Sequence, residues 1–174
     1  AWLWEKIMAA GAPFGITPYG TEAMHLLRAE AGFIIVGQDT DGTVTPVDLR
    51  MEKMVSQAKG DFIGKRSLTR SDTDRPGRRQ LIGLLTEDPA TVIVEGAHVI
   101  ETATEPAAPV PMLGHVTSSY FSPTLGRSIA MALIKDGGSR MGETLYVTRP
   151  GGGTPIPAAV TDVDFLSMKD AGHD

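Results

Sequence analysis

Tyr19-Gly20-Thr21-Glu22-Ala23-Met24-His25-Leu26-Leu27-Arg28-Ala29-Glu30-Ala31-Gly32 reads as a short helix with a marked end. Ala23, Leu26, Leu27 and Ala31 recur at helical spacing and form an apolar stripe. Thr21 stands where an N-cap belongs, and Glu22 is an acid in the first turn, where the helix dipole favours it. Gly32 sits where a left-handed residue ends a helix. On spacing alone Arg28, on the other flank near Met24, is a solvated arginine, because arginine is mostly exposed in folded proteins.

Upstream, Leu3, Trp4, Ile7 and Met8 predict a helix over Ala1 to Ala10, stopped by Gly11 and Pro13. The chain therefore reads as a piece of a longer polypeptide that starts inside a helix. Pro13 to Pro18 is an extended connection. Downstream, Phe33 to Val36 is a short β-branched run that predicts a buried strand. Gly37 to Pro46 is a loop with an Asp41-Gly42 turn. Periodicity leaves Met51 to Ala58 open between strand and helical turn. Asp61 to Thr69 predicts a short helix with Asp61 as cap and Phe62, Ile63 and Leu68 as its apolar side.

Ser71 to Arg79 is polar and carries the breaker pair Pro76-Gly77, so a domain boundary is placed there. Beyond it the text turns to strands: Gln80 to Thr86, Ala97 to Glu101, Met112 to Tyr120, Ser128 to Ile134, Thr144 to Thr148 and Ala158 to Phe165. Their regular spacing between Pro, Gly and Ser predicts a sandwich or barrel. Thr102 to Pro111 is a surface loop and Gly151-Gly152-Gly153 a hairpin tip. The fold class is α+β.

With 174 residues and 41% apolar content, the chain can bury one core or two small ones. A net charge of −5, with basic clusters only at Lys65-Arg66 and Arg75 to Arg79, gives no basic face and no nucleic-acid partner. No apolar run is long enough to span a bilayer, so no membrane partner is expected. Cysteine is absent, which excludes disulfides, thiolate metal sites and a cysteine nucleophile.

Several motifs invite chemistry and fail on spacing. If Gly42 of Asp39-Thr40-Asp41-Gly42 takes the sixth position of a calcium loop, Asp48 falls where a bidentate Glu is needed. Gly60 to Arg66 is too short between its glycines for a phosphate loop, and Arg66 replaces the hydroxyl residue. No Gly-x-Gly-x-x-Gly is present, so flavin or nicotinamide binding belongs elsewhere. His25, His98, His115 and His173 are scattered in sequence, and no metal site is expected. Thr117-Ser118-Ser119 has no paired base in view and reads as small hydroxyl residues on a strand.

The order of words from Leu27-Arg28-Ala29-Glu30-Ala31-Gly32, through Gly37-Gln38-Asp39 and Thr45-Pro46, to Asp61-Phe62-Ile63-Gly64-Lys65 resembles the aminomethyltransferase (glycine-cleavage T-protein) superfamily. Gly114 to Tyr120 and Ser122 to Ala132 extend the likeness, which covers about Phe14 to Phe165. The form most similar in text is the C-terminal region of α subunits of heterotetrameric sarcosine oxidases. The resemblance implies that residues 1–75 are the last part of a folate-binding domain and residues 76–174 a small antiparallel β-barrel.

It further implies tetrahydrofolate as cofactor and capture of a one-carbon unit from flavin-dependent sarcosine oxidation as 5,10-methylenetetrahydrofolate. FAD, FMN and NAD are then expected only in other parts of a cytoplasmic complex, whose other sarcosine oxidase subunits are the partners. The arginine of the "LRxEAG" word contacts folate in that family, which carries over to Arg28, whose planar fork suits a ligand with acceptors. Glu30 matches the same word and joins Arg28 as a cofactor-binding candidate, with a structural role, a charge-assisted bond that holds a neighbouring strand, as the favoured reading. The catalytic carboxylates of the family lie upstream of this helix, so no catalytic residue is assigned here. The tail from Phe165 to Asp170 has no tyrosine where the relatives bring an aromatic hydroxyl. The alternatives are an aminomethyltransferase proper, a dimethylglycine or sarcosine dehydrogenase domain, a folate protein of the tRNA-modification type (disfavoured by the absence of cysteine), and a non-catalytic interface module.

Overall fold

The structure is a computed structural model that describes residues 1–56 and 58–170. Six antiparallel strands close into a barrel: β1 (Arg79–Thr86), β2 (His98–Ile100), β3 (Gly114–Ser122), β4 (Arg127–Lys135), β5 (Thr144–Val147) and β6 (Ile156–Thr161). Their order around the barrel is β1-β4-β3-β2-β5-β6, with β6 returning to β1. Each strand is thus paired with a neighbour on both sides. Among the described residues, three α-helices lie outside it, α1 (Trp2–Gly11), α2 (Thr21–Glu30) and α3 (Phe165–Asp170).

Strand alternation divides the apolar residues into two cores. Ile82, Leu84, Val99, Val116, Ala130, Ala132, Ile134, Val147 and Val160 fill the barrel. Leu81, Ile129, Met131 and Leu133 face outward and are covered by Ala29 of α2, Leu49 and Phe165 of α3. Strand β4 is therefore buried on both faces, which is why Ile129 to Ile134 is continuously apolar and not alternating. Gly83 lets the chain cross β1 on its way to α3. A Cβ there would lie 2.3 Å from the Asp162 carbonyl oxygen and 2.9 Å from the Phe165 ring.

Helix α2 ends as its sequence predicts. Gly32 takes φ +74°, its N–H donates to the Ala29 carbonyl (3.1 Å), and the Phe33 N–H donates to the Arg28 carbonyl (2.8 Å). These two bonds close a Schellman motif. The other end differs from expectation: Gly20 occupies the N-cap, no side chain caps the helix, and Thr21 is its first residue.

Phe33 to Val36 is not a strand. Asp39 Oδ2 accepts the Ile35 N–H (2.9 Å), and the Ile35 carbonyl accepts the Asp39 N–H (2.9 Å), so the segment folds into a tight turn. The run pairs with no strand, and Phe33 and Val36 are left 65% and 84% exposed. Within Met51 to Ala58 only Glu52–Met54 forms a 3₁₀ turn, and Gln57 lies outside the described residues. The helix expected over Asp61 to Thr69 is a 3₁₀ turn of Lys65–Thr69. Asp61 bonds the adjacent Phe62 N–H, and Ile63 is fully exposed. The last strand stops at Thr161, and Phe165 opens α3.

Candidate functional site

Arg28 leaves α2 toward the barrel, not toward open solvent, and its side chain is 10% exposed. One terminal nitrogen donates to Asp39 Oδ2 (2.5 Å) and to the Phe33 carbonyl (3.1 Å). The other donates to Ser118 Oγ (2.6 Å) and reaches the Tyr120 hydroxyl (3.5 Å). The guanidinium carbon stands 5.9 Å from the centre of the Tyr120 ring. Arg28 Nε is buried and has no hydrogen-bond partner among the described residues. Four of the five N–H donors are thus directed at protein acceptors, and one is left over.

Asp39 is fully buried and is the hub of this cluster. Its Oδ1 accepts from Thr117 Oγ1 (2.5 Å) and Ser118 Oγ (2.7 Å), while Oδ2 takes Arg28 and the Ile35 N–H. Consecutive strand residues normally point to opposite faces. A register shift between Val116 and Ser118 in the β3–β4 pairing breaks that rule and brings both hydroxyls to one carboxylate. Gln38 extends the cluster, donating to the Thr117 carbonyl (3.2 Å), Ser118 Oγ (3.1 Å) and Glu95 Oε1 (3.3 Å). Two residues of the Thr117-Ser118-Ser119 run are therefore donors to a structural carboxylate.

Glu30 is 2% exposed and accepts a hydrogen bond from Ser122 Oγ (2.5 Å) at the end of β3. It thereby ties α2 to β3. A second buried ion pair fastens the segment farther on. Arg78 grips Asp48 with two nitrogens, Nε at 2.8 Å and a terminal nitrogen at 2.5 Å, and Thr45 donates twice to the same carboxylate (2.8 Å each). Burial alone pushes the Asp48 carboxyl up, but the bonds from Arg78 and Thr45 outweigh it and hold it below the usual carboxylate value. The hydrogen bond to Asp48 likewise raises Arg78.

Asp39, Gln38, Glu95, Tyr120 and the Arg78–Asp48 pair escape assignment from sequence. Of the histidines, His98 and His115 are brought together as cross-strand partners. His25 stays on α2, and His173 lies outside the described residues. Among the described residues, no group of three His, Cys, Asp or Glu could hold a metal ion, and no helix is long and apolar enough to cross a membrane.

Residues 79–166 match the family model of the glycine cleavage T-protein C-terminal barrel domain, the part that closes around the first core. Residues 1–59 match the GCVT N-terminal domain. The chain belongs to the glycine cleavage T-protein family. It is 53% identical over 173 residues to the sarcosine oxidase subunit alpha of Corynebacterium sp. (strain P-1), covering 99% of this chain and 18% of that protein. To the sarcosine oxidase subunit alpha of Rhizobium meliloti (strain 1021) it is 38% identical over 163 residues, 93% of this chain and 16% of that one. An aminomethyltransferase of Caldanaerobacter subterraneus is 32% identical over 163 residues, 94% of this chain and 41% of the relative.

The chain thus spans less than a fifth of the sarcosine oxidase relatives it matches. Its fold overlays the crystal structure of the glycine cleavage system aminomethyltransferase T from Bartonella henselae with a TM-score of 0.75 at 24% identity, covering 94% of this chain and 42% of that one. In this T-protein family member, the Arg28–Asp39 and Arg78–Asp48 pairs brace the segment before the barrel, and the bonds of Arg28 and Asp39 to Ser118, of Asp39 to Thr117 and of Glu30 to Ser122 fasten it to the wall.

Proposed function

We propose that this chain is the folate-binding region of a sarcosine oxidase-type α subunit, with residues 1–75 as the end of the folate domain and 76–174 as its accessory barrel. The observation that carries this reading is similarity at 38–53% identity to sarcosine oxidase α subunits along 93–99% of the chain. Tetrahydrofolate, when bound, supplies a nucleophilic nitrogen that takes up the one-carbon unit released by flavin-dependent oxidation of sarcosine, leaving glycine and 5,10-methylenetetrahydrofolate. FAD, FMN and NAD are held in other parts of the complex, whose other subunits are the partners, and the assembly works in the cytoplasm.

Within this chain, Arg28 and Glu30 serve the ligand in different ways. Arg28 keeps one donor, the partnerless Nε–H, beside the Tyr120 ring, and a single charged N–H is a fit for a folate carbonyl or carboxylate oxygen. Glu30, tied to Ser122, fixes the height of α2 against β3 and with it the position of Arg28 two residues earlier. A donor held this firmly loses little freedom when a ligand arrives. The 174 residues carry no dinucleotide fingerprint, so alone they should not oxidise sarcosine.

The test is the product of sarcosine turnover by an assembled oxidase that contains this chain. With tetrahydrofolate present, 5,10-methylenetetrahydrofolate should accumulate in place of formaldehyde. Formaldehyde as the sole product at saturating tetrahydrofolate would contradict the proposal. The 32% identity to aminomethyltransferases supports a second reading, transfer from an aminomethyl donor. That reading predicts tetrahydrofolate-dependent release of ammonia from the donor and no flavin reduction by sarcosine.

A further inference from the structure

On the barrel wall, His98 of β2 and His115 of β3 are direct cross-strand partners. The His98 N–H donates to Thr148 Oγ1 (3.1 Å), and the His98 carbonyl accepts the Thr148 N–H (2.9 Å). Its backbone polar groups therefore face away from β3. The two histidines form the non-hydrogen-bonded kind of pair, in which Cα atoms approach to about 4.5 Å and side chains lie closest. Their neighbours Ala97, Val99 and Val116 point into the barrel core, so both imidazoles leave by the outer face.

His98 is exposed and His115 half-buried. No side chain or backbone group among the described residues hydrogen-bonds either ring. Burial, then the positive charge of Arg79, holds His115 below the usual histidine value, with His98 adding to the effect and the Asp41 carboxylate opposing it.

We infer that His98 and His115 form a two-imidazole chelate for a borderline divalent transition ion, Cu²⁺ or Ni²⁺ ahead of Zn²⁺. Imidazole nitrogen suits these ions and not Mg²⁺ or Ca²⁺, and affinity rises along the series to Cu²⁺. Binding replaces two of the ion's waters by ring nitrogens and changes no oxidation state. The described residues offer no third ligand in reach, so the remaining positions are filled by water and the site is micromolar, unlike a closed structural zinc site. Arg79 weakens binding by repulsion. Asp41, anchored by Thr43, partly offsets it.

The experiment is a calorimetric titration of the 174-residue chain with CuCl₂ and NiCl₂ in a non-coordinating buffer, with electron paramagnetic resonance of the Cu²⁺ adduct. One ion per chain should bind, with two nitrogens coupled to the copper. His98→Gln and His115→Gln should each weaken binding at least about tenfold, because each turns a chelate into a single contact. Arg79→Gln should tighten it, a change that loss of fold cannot produce. Affinity left unchanged by both His98→Gln and His115→Gln overturns the site. So does loss that follows His25→Gln or His173→Gln instead.

Discussion

The barrel and the segment laid against it are held by opposite means. Residues 79–161 close around aliphatic side chains, and almost every inward position is apolar. Among its described residues, the segment from α2 to Arg78 contributes only Ala29 and Leu49 as buried apolar residues, yet it buries Glu30, Asp39 and Asp48. Besides the cover given by Ala29 and Leu49, its contacts to the barrel are directional: Arg28 with Ser118, Asp39 with Thr117 and Ser118, Glu30 with Ser122, while the Arg28–Asp39 and Arg78–Asp48 pairs brace the segment itself. A barrel core tolerates exchange among apolar side chains of like volume, whereas a buried charge tolerates only its own partner. The lesson is that the barrel supplies stability and the clasps supply position.

The largest effect should come from cutting one half of a clasp. Asp39→Ala leaves the Arg28 guanidinium buried beside Ser118 without its carboxylate, and breaking a buried pair in this way costs about 3–5 kcal/mol. Urea unfolding of the variant measures it, and a loss below 1 kcal/mol would place the pair among surface ion pairs. For comparison, Leu84→Ala in the barrel interior should cost about 2–5 kcal/mol through lost burial and a residual cavity. It should do so equally at low and high salt, since no charge is involved.

The two regions should also part in acid. Asp48 is held below its ordinary value of 3.8, so the stability it contributes is complete above pH 3.8 and is lost as pH falls through its lower folded value. In Asp48→Asn the stability curve below pH 4 should flatten. A smaller effect of the same sign belongs to the barrel wall. His115 is held below 6.5, so its contribution is complete above pH 6.5 and is lost as pH falls through the folded value. His115→Gln should remove that loss below pH 6.5, as followed by thermal melts between pH 5 and pH 8.

How much of this is legible in the sequence follows the same division. Strands separated by Pro, Gly and Ser can be read from local text, and the doubly buried β4 appears as an unbroken apolar run. Gly32 reveals the helix end because only a residue free to take φ +74° fits there. The Phe33 to Val36 run misleads, since its β-branched composition suits a strand while a carboxylate four residues beyond Ile35 folds it into a turn. The Asp39 hub cannot be read at all: its partners Thr117 and Ser118 lie 78 and 79 residues away and reach it only through a bulge. Arg28 is visible as a family word, but its four protein-directed donors are not.

The most direct measurement is a tetrahydrofolate titration of an α subunit carrying this chain, comparing native Arg28 with Arg28→Ala and Arg28→Lys. Lysine keeps the charge beside Asp39 and has no Nε–H, which separates ligand contact from loss of the clasp. Both variants should bind tetrahydrofolate more weakly by about 1.5–3 kcal/mol, the range for a charged hydrogen bond, while sarcosine reduces the flavin at the native rate. Native tetrahydrofolate affinity in a folded Arg28→Lys subunit would show that Arg28 only fastens α2 to the barrel and contradict its place in the folate site.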